Sequence, residues 1–178
     1  MNASIFGGLK IIELADFVAG PYCGKLLADL GAEVIKIEPP GKGDSSRERG
    51  PFPGDVPHRE KSGLYHYVNN NKLGVTLDPE SPRGRELFLK LIEGADVLIE
   101  DRPPGRLSKL KLGYEELSEI NPGLVMTSIA PYGQDGPYRD HKAYHLNVFH
   151  GGGQGYMMPN GGPELPPVQG GGLVGLYD

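Results

Sequence analysis

The sequence predicts an α/β fold in which a parallel sheet carries helices on both faces. Between residues 9 and 130, short runs of β-branched and apolar residues alternate with segments of helical spacing. Glycine and proline lie mostly at the joints between these segments, and 38% of the 178 residues are apolar, which is enough for one globular core. Because parallel neighbours need a crossover connection, usually a helix, this alternation indicates a parallel sheet.

The first two strands and the helix between them have clear local signals. Residues 9–14 (LKIIEL) are short, β-branched and mostly apolar, as in a buried strand. A helix of about ten residues follows, with Pro21 at its first position and Gly31 just past its end, where proline and glycine are favoured. Residues 32–38 (AEVIKIE) alternate towards their end and predict a second strand, and residues 39–61 form a long polar connection.

The second half of the predicted sheet has its strongest signal in one helix. Ser81 is its N-cap, Pro82 its first residue and Gly94 its end, around an apolar stripe at helical spacing. Beyond residue 130 the sequence becomes rich in glycine, and no regular structure is predicted there. The remaining predictions are short helices at 62–68, 103–112 and 114–120, and strands at 74–77, 96–100 and 124–130.

Composition excludes several classes of function. The net charge is −5, and the lysines and arginines are scattered, so we expect no nucleic-acid partner. A single cysteine, Cys23, excludes an internal disulfide. The sequence has no run of 18 apolar residues and no export signal, so we expect a cytoplasmic protein without a membrane span.

Four segments would lie at the carboxyl edge of the predicted sheet, where ligands of such folds bind. Helix N-termini at that edge attract anions. Each segment also has a purely structural interpretation, as a turn or as a solvated surface loop. The segments are 15–22, 41–50, 69–72 and 132–144.

Motifs of several common enzyme classes are absent from the sequence. The turn after the first strand reads ADFVAGPYCG and lacks the G-x-G-x-x-G dinucleotide fingerprint. That spacing occurs at Gly170, Gly172 and Gly175, without a visible strand and helix around it. There is no H-E-x-x-H, G-x-S-x-G or C-x-x-C. Composition and spacing therefore predict an α/β domain whose sheet edge binds an anionic ligand.

Three longer runs carry a resemblance to a known family. They read LKIIELADFVAGPYCGKLLADLGAEVIKIEPPGKGDSSR, NNNKLGVTLD and SPRGRELFLKLIEGADVLIEDRPPGRLSKLKLGYEELSEINPGLVMTSIAPYGQDGPY, in this order along residues 9–138. They closely resemble the N-terminus of the family III CoA-transferases, which include formyl-CoA transferase, carnitine CoA-transferase and the α-methylacyl-CoA racemases. The resemblance continues to Tyr144. It implies that residues 1–178 are the N-terminal part of a Rossmann-like large domain, and that the second domain and the C-terminal segment lie outside them.

The resemblance also implies a reaction. In this family an aspartate attacks an acyl-CoA thioester, and an enzyme aspartyl-CoA thioester then passes CoA to an acceptor carboxylic acid. Residues 151–155 (GGGQG) resemble the family's glycine segment, whose N–H groups would stabilise oxyanions. No cofactor is expected to be bound permanently, because acyl-CoA is a substrate. The full-length protein is expected to be an interlocked homodimer, and residues 1–178 alone are expected to be inactive.

The resemblance assigns site residues in this sequence. Asp178 is the candidate nucleophile, although the family position, counted from Tyr144, falls near 174–176. Either the loop is longer here or the nucleophile is absent. Pro39, Leu73 and Asp16 replace residues that family members use, and Lys42 or Arg47 would compensate in phosphate recognition. The CoA-binding candidates, each with an alternative as a surface or packing residue, are Val18, Ala19, Lys72, Lys109, Lys142 and Tyr144.

Two alternative functions stay open at this point. A racemase-like enzyme needs a histidine and an acid, and the family's His-Asp order appears here reversed, as Asp140-His141. A non-catalytic acyl-CoA-binding domain would fit the absence of a nucleophile. A carboxylate followed shortly by a glycine beyond Asp178 would favour the transferase.

Overall fold

Five parallel strands form one sheet in the computed structural model, which describes residues 4–153. The strands are β1 (Lys10–Leu14), β2 (Glu33–Glu38), β3 (Leu73–Thr76), β4 (Val97–Glu100) and β5 (Val125–Ser128). The helices are α1 (Ala19–Asp29), α2 (Gly63–Asn69), α3 (Pro82–Glu93), α4 (Arg106–Lys109), α5 (Tyr114–Ile120) and α6 (His145–Gly151). Three short 3₁₀ turns, Ser45–Glu48, Pro53–Asp55 and Arg59–Lys61, lie between β2 and α2.

The strand order β3-β2-β1-β4-β5 places β1 at the centre of the sheet. From β1 the chain moves outward through β2 and β3, and it then returns to β4 on the other side of β1. The order therefore reverses between β1 and β4. In open α/β sheets the crevice at such a reversal, outside the carboxyl ends of the strands, is where ligands bind.

The two faces of the sheet have separate hydrophobic cores, so the predicted layering is confirmed. Because successive strand residues point to opposite faces, Ile12 packs with α3 and α5, whereas Ile11 packs with α1. The larger core includes the fully buried Phe88 and Leu117. The smaller core includes Ala28 of α1.

Helix α3 confirms its sequence signals in full. It begins at Pro82 and ends before Gly94, and the Ser81 hydroxyl accepts a hydrogen bond from Gly84 N–H at 3.1 Å. The strands lie within three residues of their predicted bounds. No helix among residues 4–153 is long and apolar enough to cross a membrane.

Three helical predictions were wrong. The helix predicted at 103–112 is only four residues long, Arg106–Lys109. Helix α1 begins at Ala19, so Pro21 is its third residue and not its first. A proline fits there because the first N–H groups of a helix have no partner within it. Helix α6 was not predicted at all, because its apolar residues Leu146, Val148 and Phe149 lie just before a run of glycines that begins at residue 151.

Phe88 tests the position of the larger core. We expect Phe88→Ala to lower the free energy of unfolding by about 3–5 kcal/mol, because the ring is fully buried and its loss leaves a cavity. Leu87→Ala is the matched control, since the neighbouring Leu87 is 37% exposed and should change stability by less than about 1 kcal/mol. Urea unfolding followed by circular dichroism measures both, and equal losses would contradict the packing described.

Candidate functional site

The turn between β1 and α1, residues 15–18, lies at the reversal of strand order, and we call it the β1–α1 turn. Phe17 takes a left-handed φ of 64°, which is uncommon for a bulky residue. Asp16 N–H donates a 2.6 Å hydrogen bond to Asp101 Oδ2 just after β4. Ser45 N–H donates to Asp16 Oδ1 at 2.7 Å. Contacts from two distant segments therefore fix this turn.

Helix α1 begins directly after the turn and packs closely against it. A Cβ atom on Gly20 would lie 2.2 Å from the Ala15 Cβ, so the backbone can approach only because residue 20 is glycine. Tyr22 N–H donates to the Val18 carbonyl at 2.7 Å and starts the helix. The first N–H groups of α1 therefore face the edge of the sheet where the strand order reverses.

A buried charge cluster of Glu13, Lys36, Asp44 and Lys72 lies beneath α1, and each side chain is at most 2% exposed. Lys36 Nζ is 3.0 Å from Glu13 Oε1 and 2.6 Å from Asp44 Oδ2. Lys72 Nζ is 2.7 Å from Glu13 Oε2. Gly24 leaves the room for this carboxylate, because a Cβ atom there would lie 2.0 Å from Glu13 Oε2.

The two lysines of the cluster also hold the backbone at the start of the β1–α1 turn and in the first turn of α1. Lys36 Nζ donates to the Ala15 carbonyl at 3.0 Å. Lys72 Nζ donates to the Pro21 carbonyl and to Asn69 Oδ1, at 2.7 and 2.9 Å. With the ion pair to Glu13, Lys72 Nζ has three close partners among the described residues.

Burial and pairing compete in setting the pKa values of these lysines. Burial lowers the pKa of Lys72 to about 8, although Glu13 opposes the shift. Burial also acts to lower the pKa of Lys36, but Glu13 and Asp44 outweigh it and raise that pKa. Lys36 is therefore the firmly charged member, and Lys72 is the member closest to losing its proton at neutral pH.

Glu38 at the end of β2 is the centre of a second cluster. Its carboxylate accepts hydrogen bonds from Arg47 Nε at 2.7 Å, Tyr65 Oη at 2.8 Å and Asp44 N–H at 2.8 Å. Burial would raise the pKa of Glu38, but the bonds from Arg47 and Tyr65 prevail and lower it to about 2. Arg47 also pairs with Glu60 at 3.0 Å. The connection after β2 is therefore anchored to the sheet, and Arg47 is engaged in ion pairs within the protein.

Two of the hollows at the carboxyl edge of the sheet share Arg102. The larger, of about 400 Å³, is lined by residues that include Asp101, Arg102, Tyr132, Arg139, His141 and Lys142, and we call it the main cleft. The smaller, of about 130 Å³, is mainly apolar, with Leu14, Ile37, Leu77 and Leu107 in its wall. Together they form a surface with the smaller hollow on one side and, on the other, a cleft whose wall carries three cations and the carboxyl groups of Asp101 and Asp140.

Asp101 joins the main cleft to the β1–α1 turn, and the sequence analysis missed it. Burial raises the pKa of its carboxyl group to about 6, against the lowering effects of the Asp16 N–H and of Arg102. Its position directly after a buried strand, within Glu100-Asp101-Arg102, was the available signal. Asp101 is therefore a carboxyl group that titrates near neutral pH inside the cleft.

Comparison with known proteins assigns the family. The family model for CoA-transferase family III matches residues 6–177. The chain belongs to CoA-transferase family III. It is 42% identical over 163 residues to succinyl-CoA–D-citramalate CoA-transferase of Chloroflexus aurantiacus, covering 90% of this chain and 39% of that protein. It is 40% identical over 167 residues to acetyl-CoA:oxalate CoA-transferase of Acetobacter aceti, covering 94% and 41%.

Solved structures agree with this assignment. A CaiB/BaiF family protein from Brucella suis matches with a TM-score of 0.81 and 38% identity, over 96% of this chain and 44% of that chain. Rv3272 from Mycobacterium tuberculosis matches with a TM-score of 0.79 and 34% identity, over 93% and 45%. The chain thus spans about two fifths of the length of the relatives it matches.

The structure places the sequence-predicted site residues in different environments. Val18 is buried in the β1–α1 turn and Ala19 is exposed at the start of α1. Lys142 lines the main cleft, and Tyr144 is 66% exposed just before α6. Lys109 is exposed at the end of α4, outside the walls of the two hollows.

The structure leaves the predicted roles of Lys72 and Asp178 untested. Lys72 lies in the buried charge cluster, and its direct contact with CoA stays a prediction. Asp178 lies outside the described residues, as do the last two residues of the glycine segment 151–155. Its role as nucleophile also stays a prediction.

Glu13 tests the buried charge cluster. We expect Glu13→Gln to lower the free energy of unfolding by about 3 kcal/mol, because two buried lysines lose their shared counter-charge. Glu86→Gln is the matched control: Glu86 also contacts two cations, Arg83 and Lys90, but all three are exposed, and we expect a change below about 1 kcal/mol. Denaturant unfolding at pH 7 measures both variants, and an unaffected Glu13 variant would contradict the account of the cluster.

Proposed function

We propose that this chain is part of an enzyme that moves CoA from an acyl-CoA to a carboxylic acid through an enzyme aspartyl-CoA thioester. The observation that carries the proposal is that Asp101 links a fixed β1–α1 turn, at the strand-order reversal, to the main cleft of a family III member. The relatives support it: their names specify different acids, such as citramalate, oxalate and glutarate, alongside CoA.

The shape and charge of the edge fit the constant part of such substrates. CoA combines a flat base, a set of phosphates and a long pantetheine arm. The apolar side chains in the wall of the smaller hollow suit the base, while Arg102 at its border and Lys142 in the main cleft supply positive charge for phosphates. The N-terminus of α1 adds N–H groups and a favourable dipole for an anion. We therefore propose that CoA extends from the smaller hollow past the β1–α1 turn into the main cleft.

The covalent steps exchange one acyl bond for another. A carboxylate of the enzyme attacks the thioester carbonyl and expels CoA thiolate, which forms a mixed anhydride. The thiolate attacks the enzyme-side carbonyl of this anhydride, so that the donor acid leaves as its carboxylate and CoA stays on the enzyme. The acceptor carboxylate then repeats both steps in reverse, and no net hydrolysis occurs. We propose Asp178 as the enzyme carboxylate.

The proposal extends to the full-length enzyme. Residues 1–178 then form the N-terminal part of a larger domain, and the full-length enzyme is an interlocked cytoplasmic homodimer without a permanently bound cofactor. A racemase-like activity is the alternative, and Asp140 and His141 both line the main cleft. Transfer of CoA to an acid, compared with deuterium exchange at the α-carbon of an acyl-CoA, distinguishes the two activities.

Lys142 tests the position of CoA. We expect Lys142→Ala in the full-length protein to weaken CoA binding about tenfold, because a charge-assisted hydrogen bond to an anion is lost. Lys90→Ala is the matched control, since Lys90 is an exposed lysine on α3 and should leave the affinity unchanged. Isothermal titration calorimetry gives both dissociation constants. Undetectable CoA binding by the unaltered protein, or equal affinities in the two variants, would overturn the assignment.

Asp178 tests the covalent step. We expect Asp178→Asn to abolish transfer while CoA binding persists, because the nucleophile is lost and the binding surface is kept. Glu164→Gln, which alters the other carboxylate beyond residue 151, is the control and should keep full activity. Peptide mass spectrometry after treatment with acyl-CoA and hydroxylamine should locate the modification on Asp178. A label on another carboxylate would show that Asp178 is not the nucleophile.

A further inference from the structure

Asp101 has three features that no step of the proposed transfer uses. It lies directly after β4, beside β1, where the strand order reverses. Its Oδ2 atom accepts the Asp16 N–H at 2.6 Å, which ties it to the β1–α1 turn, and a Cβ atom added at Gly20 would lie 3.7 Å from it, so the carboxyl group is also close to the first turn of α1. It also lines the main cleft.

No lysine or arginine among the described residues forms an ion pair with this carboxylate. The nearest charges are Arg102, next in the chain, and Lys36 on β2, which is already paired with Glu13 and Asp44. Asp16 adds a negative charge from the turn. The titratable and charged groups in the other segments that line the cleft are Tyr132, Arg139, Asp140, His141 and Lys142, and Arg139 pairs with Asp140 at 3.5 Å.

We propose that Asp101 is a positioning residue that also controls the charge of the site: it fixes the β1–α1 turn, and its ionisation weakens the binding of CoA. The inference rests on the proposed binding of CoA at this edge. An ionised carboxylate without a counter-ion repels the phosphates of a ligand that enters the same cleft. A neutral carboxyl group keeps the hydrogen bond from the Asp16 N–H without this repulsion.

The direction of the pH effect follows from the buried carboxyl group. Burial raises the pKa of Asp101 to about 6, so the group is largely neutral at pH 5 and largely ionised at pH 8. An anionic ligand favours the neutral form, and therefore binding should raise this pKa further. A rise of about one pKa unit on binding corresponds to about a tenfold loss of affinity between low and high pH.

Asp101→Asn separates charge from geometry. The asparagine side-chain oxygen can accept the Asp16 N–H as the aspartate does, but it never ionises. We expect the unaltered full-length protein and the full-length Asn variant to bind CoA equally at pH 5. At pH 8 the variant should bind CoA about tenfold more tightly than the unaltered protein. Calorimetry across this range gives the ratio of the two dissociation constants. Titration of the CoA phosphates affects both proteins and cancels in the ratio unless it is coupled to Asp101. Repeating the pair in a His141→Gln background removes the neighbouring imidazole as a contributor.

Asp101→Ala is the second variant, because it removes the acceptor as well as the charge. We expect it to bind CoA more weakly than the Asn variant at every pH, since the turn loses the Asp16 contact. Equal affinities of the Ala and Asn variants would overturn the positioning role. A pH-independent affinity ratio between unaltered protein and Asn variant would overturn the charge role, whereas undetectable CoA binding by the unaltered protein would overturn the proposed function itself.

A direct measurement of the Asp101 pKa in the unaltered protein needs the Asn variant only to assign the signal. Carbon-13 NMR of aspartate-labelled protein, with the Asp101 signal assigned by its loss in the Asn variant, should show a higher pKa of Asp101 when CoA is bound. An unchanged or lower pKa in the complex would contradict the repulsion on which the inference depends.

Discussion

The placement of the β1–α1 turn depends on one buried carboxylate, Glu13, in the central strand of the sheet. Glu13 has no exposed surface and lies between Lys36 and Lys72, which are themselves buried. Lys36 donates to the Ala15 carbonyl at the start of the turn, and Lys72 donates to the Pro21 carbonyl in the first turn of α1. Because a buried charge is tolerated only with its partners in place, these contacts permit one arrangement of the turn. The charge cluster therefore supports the site from beneath α1.

Such a support suits a site that must hold a large and mobile ligand. Ordering a flexible binding segment at the moment of association costs free energy, and a turn that is already fixed avoids that cost. The support comes from both sides of the strand-order reversal: Lys36 and Lys72 act from beneath α1, and Asp101 acts from the end of β4. The long connection after β2 is tied to the same region through the pair of Glu38 and Arg47. Most polar groups near the turn are thus committed to each other, and the main cleft keeps Arg102 and Lys142 at its wall.

Local pattern predicted most of the fold but little of the electrostatic support. The strands and α3 were predictable because alternation, capping and glycine or proline punctuation act within a few residues. The alternation in residues 32–38 treated Lys36 and Glu38 as polar positions, whereas both are buried. Their partners, Glu13 and Arg47, lie 23 and 9 residues away in the sequence, so no local signal contains the pairing. Lys72 was assigned to the site by resemblance alone. Its ion pair with Glu13 joins residues that are distant in the sequence, so only the folded sheet shows it.

The central claim is that CoA binds across the strand-order reversal, between the β1–α1 turn and the main cleft. Hydrogen–deuterium exchange of the full-length protein, with and without CoA, tests it most directly because exchange reports backbone protection segment by segment. The account predicts that CoA slows exchange in peptides that cover residues 15–22, 101–105 and 131–144. Protection confined to the opposite face of the sheet, in α3 and α5, with these three segments unchanged, would contradict it.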